Sequence, residues 1–69
     1  MEGRVCVLFV GGPEGTPSTW EVRSLEEESR VSILFGNRYE HFEYAHCRAE
    51  FGGRMLPVYR WSYRTYVAE

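Results

Sequence analysis

The feature that most constrains the fold is the dipeptide Gly36-Asn37, which lies in the middle of a β-prone stretch, residues 31–44. Glycine at the first central position of a two-residue loop is typical of a type II′ hairpin turn. With that loop, Phe35 faces Arg38, and the pairing can be counted back along both strands. The sequence therefore predicts an antiparallel hairpin at the centre of the chain.

This register sorts the hairpin side chains into an apolar face and a mixed face, because successive residues of a strand point to opposite sides. A loop one residue longer would place Val31 opposite Glu43 and mix the faces, which is costly wherever one face is buried. Arg38 and Glu40 share the apolar face but lie next to the turn, where we expect water to reach them. The apolar face carries Val31, Ile33, Phe35, Phe42 and Tyr44, and the mixed face carries Arg30, Ser32, Leu34, Tyr39, His41 and Glu43.

The rest of the chain is predicted to form further short strands, separated by turn-forming residues about every ten positions. This pattern favours an all-β fold, a small antiparallel meander or partly open barrel of five to six short strands. An α+β fold with one short helix near residues 24–30 is the alternative. Residues 46–53 are predicted to be a connection that ends in a tight turn at Gly52-Gly53. The predicted strands are residues 4–10, 19–24, 31–35, 38–44, 54–61 and 62–68, the last being either a separate strand or a bent continuation.

The length predicts a single small β domain over residues 1–69. A chain this short buries only about 60% of the surface that its unfolded form exposes. Burial of a sheet face against a second copy would enlarge the core, so we predict a homodimer or another protein partner. Cys6 and Cys47 lack the spacing of a zinc site. We expect reduced thiols in a cytoplasmic protein with no metal and no cofactor.

The charge distribution argues against nucleic-acid binding. The net charge is −2, and the eight basic residues, all arginines, are scattered among glutamates. A nucleic-acid-binding protein usually carries a clustered basic patch and has a high pI. The first apolar run, residues 5–10, is also too short for a signal peptide or a bilayer span. We therefore expect no nucleic-acid partner and no membrane association.

One group of residues on the mixed face could support acid–base chemistry. Tyr39, His41 and Glu43 alternate along one strand and project from the same face. Glu43 could orient His41, and a positioned imidazole can act as a general base near neutral pH. The alternative is a half-exposed polar sheet face on which Arg30, rather than His41, holds Glu43. No companion nucleophile stands out in the sequence.

An aromatic row near the end of the chain is the second candidate site. Tyr59, Trp61 and Tyr63 recur at strand spacing, with Arg60 and Arg64 on the other face. An exposed row would be a protein- or ligand-binding surface, since Trp, Tyr and Arg dominate binding hot spots. A buried row would be core. The chain has two Trp, five Tyr and four Phe, more than so small a core readily hides, so we expect some at an interface.

Short motifs are spread along nearly the whole chain: Val10-Gly-Gly-Pro13, Tyr39-Glu-His-Phe42, Tyr59-Arg-Trp61, Arg64-Thr65 and Ala68-Glu69. In this order they resemble a family of short, uncharacterised bacterial proteins that is classified only as a domain of unknown function. Members often lie beside natural-product biosynthetic genes, so the resemblance implies an accessory role in such a pathway. If the family shares a site, the resemblance points to Gly12, Pro13, Tyr39, Glu40, His41, Trp61 and Arg64.

Together these observations favour a non-enzymatic accessory or binding protein that acts through an aromatic sheet surface. One alternative is a small tailoring enzyme with His41 as general acid/base, oriented by Glu43 or Glu40, and Arg64 holding an anionic group. Another is a metabolite-binding or self-resistance protein in which Trp61 and the tyrosines enclose an aromatic product. The expected ligand- or partner-binding residues are Tyr39, Glu40, His41, Tyr59, Trp61, Tyr63 and Arg64.

Overall fold

The computed structural model describes residues 3–67, which form one five-stranded sheet in the order β2-β1-β5-β4-β3. The predicted all-β fold class is confirmed: the described residues contain no helix, and the sheet is not closed into a barrel. Residues 3–67 accordingly include no helix that could cross a bilayer. The strands are β1 (Val5–Val10), β2 (Thr19–Val22), β3 (Arg30–Phe35), β4 (Arg38–Phe51) and β5 (Arg54–Tyr66).

One pair of strands departs from the antiparallel pattern. β1 and β5, the first and last strands, run parallel, with Leu8 opposite Val58, whereas the other neighbouring pairs are antiparallel. β1 is apolar on both faces, which suits its position between two other strands. Nothing local in the sequence indicates this order, because the pairing joins segments about fifty residues apart.

The central hairpin has the predicted turn and register. Gly36 has a φ of 61° while Asn37 keeps a negative φ, as a type II′ turn requires. Phe35 lies opposite Arg38, and the ladder continues to the terminal pair of Arg30 and Glu43. The two-residue loop, predicted because it separates the apolar face from the mixed face, is therefore confirmed.

β4 and β5 are both longer than predicted. Residues 46–51 continue β4 rather than forming a connection, and only the turn at Gly52-Gly53 is as expected. The two segments predicted at residues 54–61 and 62–68 are one strand as far as Tyr66, and Ala68 lies outside the described residues. Alternation along the sequence does not predict this length, because two irregularities interrupt the pairing of β4 with β5. One lies between His41 and Phe42, and the other lies between Tyr44 and Arg48.

One face of the sheet, the core face, carries most of the buried apolar side chains, and two loops cover it. Phe42 stacks on Phe9, with ring centroids 4.3 Å apart. The loop of residues 11–18 crosses above Phe42, and the loop of residues 23–29 reaches Tyr59. The buried side chains of this core are Val7, Phe9, Val22, Val31, Phe42 and Tyr59.

The α+β alternative is wrong, because residues 24–28 form a single hydrogen-bonded turn. The Glu28 N–H donates to the Ser24 carbonyl at 3.0 Å, and the Glu27 N–H donates to Ser24 Oγ at 2.9 Å. The Glu28 carbonyl then accepts the Tyr59 hydroxyl at 2.7 Å. This turn lies over the core and is held to β5 by the Tyr59 hydroxyl.

The opposite side of the sheet, the outer face, has a smaller buried cluster of Leu8, Leu56 and Val58. Both cysteines are free: Cys6 packs at the margin of this cluster, and Cys47 is exposed. The outer face of β3 and of the adjoining parts of β4 and β5 carries no such cluster among the described residues. That region is therefore the open part of the sheet.

We predict that Gly12→Ala destabilises the fold by about 1–3 kcal/mol, the usual cost of overpacking a core. A Cβ on Gly12 would lie 2.6 Å from Phe42 Cζ and 2.7 Å from Thr16 Oγ1, so the covering loop would have to lift. Gly3→Ala is the matched control, since a Cβ there meets nothing within 4 Å. Urea unfolding followed by circular dichroism measures both. Equal midpoints for the two variants would contradict this account of the covering loop.

Candidate functional site

The predicted site residues do not form one surface. β5 contains one extra residue, Ser62, where Phe42 pairs with Trp61 and His41 pairs with Tyr63. This bulge reverses the alternation, so the predicted row of three aromatic side chains is wrong: Tyr63 lies on the opposite face from Tyr59 and Trp61. On the core face lie Glu40, Trp61 and Arg64; on the outer face lie Tyr39, His41 and Tyr63; and Tyr59 is in the core.

Tyr59 is unavailable to a partner in this fold. Its side chain has 0% exposure, and its hydroxyl donates to the Glu28 carbonyl. Burial, followed by the nearby Glu28 carboxylate, raises the pKa of this hydroxyl above its ordinary value. The expectation that Tyr59 is a partner-binding residue is therefore corrected: it holds the 23–29 loop onto the sheet.

Glu40 is the most unusual residue of the core face. The expectation that water would reach it is wrong, since its side chain has 0% exposure. Its Oε2 accepts from Arg38 Nε at 2.6 Å and from Arg64 Nε at 2.8 Å. Its Oε1 accepts from Trp61 Nε1 at 2.8 Å. These four residues, which we call the carboxylate cluster, join β4 to β5 by side-chain hydrogen bonds as well as by the ladder.

The carboxylate cluster keeps Glu40 ionised. Burial alone would raise the pKa of Glu40, but the hydrogen bonds from Trp61, Arg38 and Arg64 outweigh it and hold that pKa below its ordinary value. Two guanidinium groups face one carboxylate, so the cluster has a surplus of one positive charge. Both arginines remain about one-third exposed, which allows water to solvate this surplus.

His41 occupies the centre of the open part of the outer face. Its Nδ1 lies 2.9 Å from Ser32 Oγ, and its Nε2 lies 2.8 Å from Thr65 Oγ1. Its ring stacks on Tyr63, with centroids 4.3 Å apart and planes 12° from parallel. Both ring nitrogens therefore have hydroxyl partners, one on each neighbouring strand, and these fix the orientation of the imidazole.

Glu43 does not orient His41, so this part of the acid–base hypothesis is corrected. Glu43 lies 3.8 Å from Arg30 Nε on β3, the partner that the alternative reading named. Residues directly opposite on neighbouring strands are about 5 Å apart at Cβ, whereas residues two apart on one strand are about 7 Å apart. Glu43 and His41 are therefore each closer to a residue on the neighbouring strand β3, Arg30 and Ser32 respectively, than to one another.

The pocket that the structure forms near this region lies beside His41 rather than at it. It has a volume of about 170 Å³ and opens between the two irregularities of the β4–β5 ladder. Its walls are Glu43, Tyr44, Ala45, Arg60, Trp61 and Ser62.

The described residues contain no cluster of three or more ligands that could hold a metal ion.

Sequence reasoning assigned no role to four residues that lie in the carboxylate cluster or around His41. Arg38 was placed on the right face, but its contact with Glu40 was not predicted. Ser32 and Leu34 are predicted on the mixed face without a role, and Thr65 is named only within the motif Arg64-Thr65. The spacing of Arg38 and Glu40, two apart on one strand, was an available signal. Thr65 could be found only with the register of β5, which depends on the Ser62 bulge.

We predict that Glu40→Gln lowers stability near neutral pH and flattens its dependence on pH. Since the folded-state pKa of Glu40 lies below the unfolded value, near 4.5, the carboxylate stabilises the fold above that value. This contribution disappears as the pH falls through the folded-state pKa. Denaturant unfolding between about pH 7 and pH 3 should show a smaller loss for the variant than for the wild type.

The exposed Glu50, which makes no ion pair within the described residues, supplies the control Glu50→Gln. This variant should follow the wild-type profile. If Glu40→Gln and Glu50→Gln lose the same stability on acidification, the carboxylate cluster does not carry the pH dependence.

Comparison with known proteins gives a family for the chain. No curated protein and no solved structure matches it. Residues 1–69 match the Family of unknown function (DUF5988), over the full length of the chain. This agrees with the resemblance that the motifs of the sequence indicated. The chain therefore belongs to the Family of unknown function (DUF5988).

Proposed function

We propose that this protein is a cytoplasmic, non-enzymatic binding protein that recognises a protein partner through the open part of its outer face. The observation that carries the proposal is a pre-ordered group of exposed side chains, which we call the outer patch. The outer patch consists of Leu34, Tyr39, His41 and Tyr63, with the hydroxyls of Ser32 and Thr65 beside His41.

The outer patch combines exposure with rigidity. Leu34 is 55% exposed, Tyr39 39% and Tyr63 46%, although the side chains lie on the ordered strands of a sheet. The stack of His41 on Tyr63 and the two hydroxyl contacts hold this part of the patch in place before any partner arrives. Pre-ordered aromatic side chains lose little entropy on binding and supply most of the energy in protein interfaces.

The chemistry of the outer patch indicates what would bind there. Tyr39 and Tyr63 present large apolar rings with hydroxyl groups, and Leu34 adds an aliphatic contact. Arg30 and Glu43, a mutually compensating pair, lie next to His41 on the same face. A suitable partner surface is apolar at its centre, with hydrogen-bond groups for the two tyrosine hydroxyls and no strong net charge.

The surroundings of His41 favour binding over acid–base catalysis. Both imidazole nitrogens are engaged by hydroxyls, and the carboxylate of Glu43 pairs with Arg30. A general base works on a substrate held within hydrogen-bond reach, whereas the nearby pocket is lined by other residues. The close approach of Ser32 Oγ to His41 resembles a nucleophile–base pair, but no third group with a negative charge orients the ring among the residues that the structure describes.

An accessory role in natural-product biosynthesis is part of this proposal. It is supported by the motif resemblance, which implies that relatives often lie beside biosynthetic genes. A binding role is compatible with such a pathway, because a small domain that lacks a full set of catalytic residues could still bring pathway proteins together. The partner would then be an enzyme or a carrier of such a pathway.

We predict that Tyr63→Ala and Tyr39→Ala each cost about 2 kcal/mol of binding free energy, as substitutions at hot spots do. The immobilised protein is exposed to a lysate of the source organism, and the retained proteins are quantified by mass spectrometry. Tyr66→Ala is the matched control, because Tyr66 is 65% exposed but lies on the same side as Arg64 and Glu40, away from the outer patch.

The proposal expects a partner that the wild type and Tyr66→Ala retain and that Tyr63→Ala loses. Circular dichroism confirms that the variants remain folded. Full retention of every bound protein by folded Tyr39→Ala and Tyr63→Ala variants would exclude the outer patch as the binding surface.

A further inference from the structure

We propose that β3 pairs antiparallel with β3 of a second copy, so that two five-stranded sheets join into one continuous sheet across a two-fold axis. The inference concerns the main-chain edge of β3. This edge shares Leu34 and Ser32 with the outer patch, but the pairing uses backbone groups and holds whether or not the outer patch binds a partner. It rests on three observations: the edge is open, its sequence lacks the usual protection, and it is self-complementary.

The first observation is the open edge. Within residues 3–67, β3 pairs only with β4 and stands last in the strand order. In a two-residue hairpin the residues flanking the loop, Phe35 and Arg38, form a hydrogen-bonded pair. The main-chain groups of Phe35, Ile33 and Val31 therefore face β4. Those of Leu34 and Ser32 face outward, where no backbone partner is found for them in the described residues.

The second observation is the composition of this edge. Residues 31–35 contain no charge, proline or glycine, and all five are Val, Ser, Ile, Leu or Phe. Native edge strands are normally short or interrupted by charge, proline or a bulge, which prevents pairing with other chains. The other edge strand, β2, follows this rule, with four residues and the exposed Glu21 in its interior. β3 is longer, with six residues, and carries its one charge, Arg30, at its first position rather than in its interior.

The third observation is that β3 is self-complementary. With the axis at Ile33, the two copies of Ile33 face one another, and Val31 faces Phe35 of the second copy. On the outer face, Ser32 faces Leu34 of the second copy. The pairs formed by Val31, Ile33 and Phe35 continue the core face from one copy to the other. In the single chain Val31 is buried on that face, and Ile33 and Phe35 are half-buried. A shift by one residue would set Val31 opposite Leu34 and mix the faces.

The second copy is the occupant that this edge fits best. Any strand of suitable sequence could use the backbone groups, but β3 itself matches both the alternation and the apolar character of the edge. Pairing would cover more of Ile33 and Phe35, which enlarges the core of a chain too short to bury much surface alone. A two-fold axis perpendicular to the sheet would also place both outer patches on the same side of the dimer.

The test uses charge at the two outer-face positions that the pairing brings together. Wild-type protein at a concentration on the order of 100 μM should have twice the mass of the 8.1 kDa chain in sedimentation equilibrium. Leu34→Glu alone and Ser32→Lys alone should each weaken the dimer by about tenfold or more, since each variant carries like charges diagonally across the axis. An equimolar mixture should form a heterodimer, because the lysine introduced in one copy would then face the glutamate introduced in the other.

Met55→Glu is the matched control, because Met55 is as exposed as Leu34 but lies near the Gly52-Gly53 turn, far along the chain from β3. It should remain dimeric, and so should Tyr63→Ala, which separates this proposal from that for the outer patch. Circular dichroism verifies that each variant is folded. A wild-type monomer, a Leu34→Glu variant that dimerises like the wild type, or a mixture of the two charged variants that stays monomeric would overturn the proposal.

Discussion

The fold depends on the contact between Phe42 and the loop that crosses it. Phe42 has no exposed surface, stacks on Phe9 and meets Gly12 so closely that even a methyl group would not fit. A single sheet needs a second layer to bury its apolar face, and this chain has no helix in its described residues to supply one. Two loops provide that layer instead. They cover the core face around Phe42 and Tyr59 and leave much of the outer face of β3, β4 and β5 open.

The Ser62 bulge determines which residues belong to each face. Without it, Trp61 and Tyr63 would project from the same side of β5. With it, Trp61 donates to the buried Glu40, whereas Tyr63 stacks on His41 at the surface. The carboxylate cluster and the outer patch are therefore back-to-back features of the same strands. The cluster fixes β5 against β4 from one side, and the rigidity of the outer patch on the other side follows from that same pairing.

Much of the fold could be predicted from local sequence. Gly36-Asn37 and the alternation around it gave the turn, the six pairs of the β3–β4 ladder and the identity of the core face. The extension of β4 past Tyr44 could not be predicted, because residues 45–50 have little strand preference and form a strand through pairing with β5. The parallel contact between β1 and β5 was equally hidden, since it joins the two ends of the chain.

The candidate site was predicted as a set of residues but not as an arrangement. Most of the residues named in advance lie in the carboxylate cluster or the outer patch. Their division between two faces follows from one inserted residue, which alternation alone cannot locate. Glu40 shows the same limit: its position near the turn suggested exposure, but Trp61 and Arg64 arrive from β5 and enclose it.

The central claim is that two loops bury the core around Phe42 and Tyr59 on one face of this sheet, while the other face presents ordered aromatic side chains to solvent. Tyrosine-selective nitration of the folded protein, followed by mass spectrometry of its peptides, tests it most directly. The account predicts that Tyr63 and Tyr39 are modified readily, whereas Tyr59 reacts only after the protein is unfolded. Modification of Tyr59 as fast as that of Tyr63 in the folded protein would contradict it.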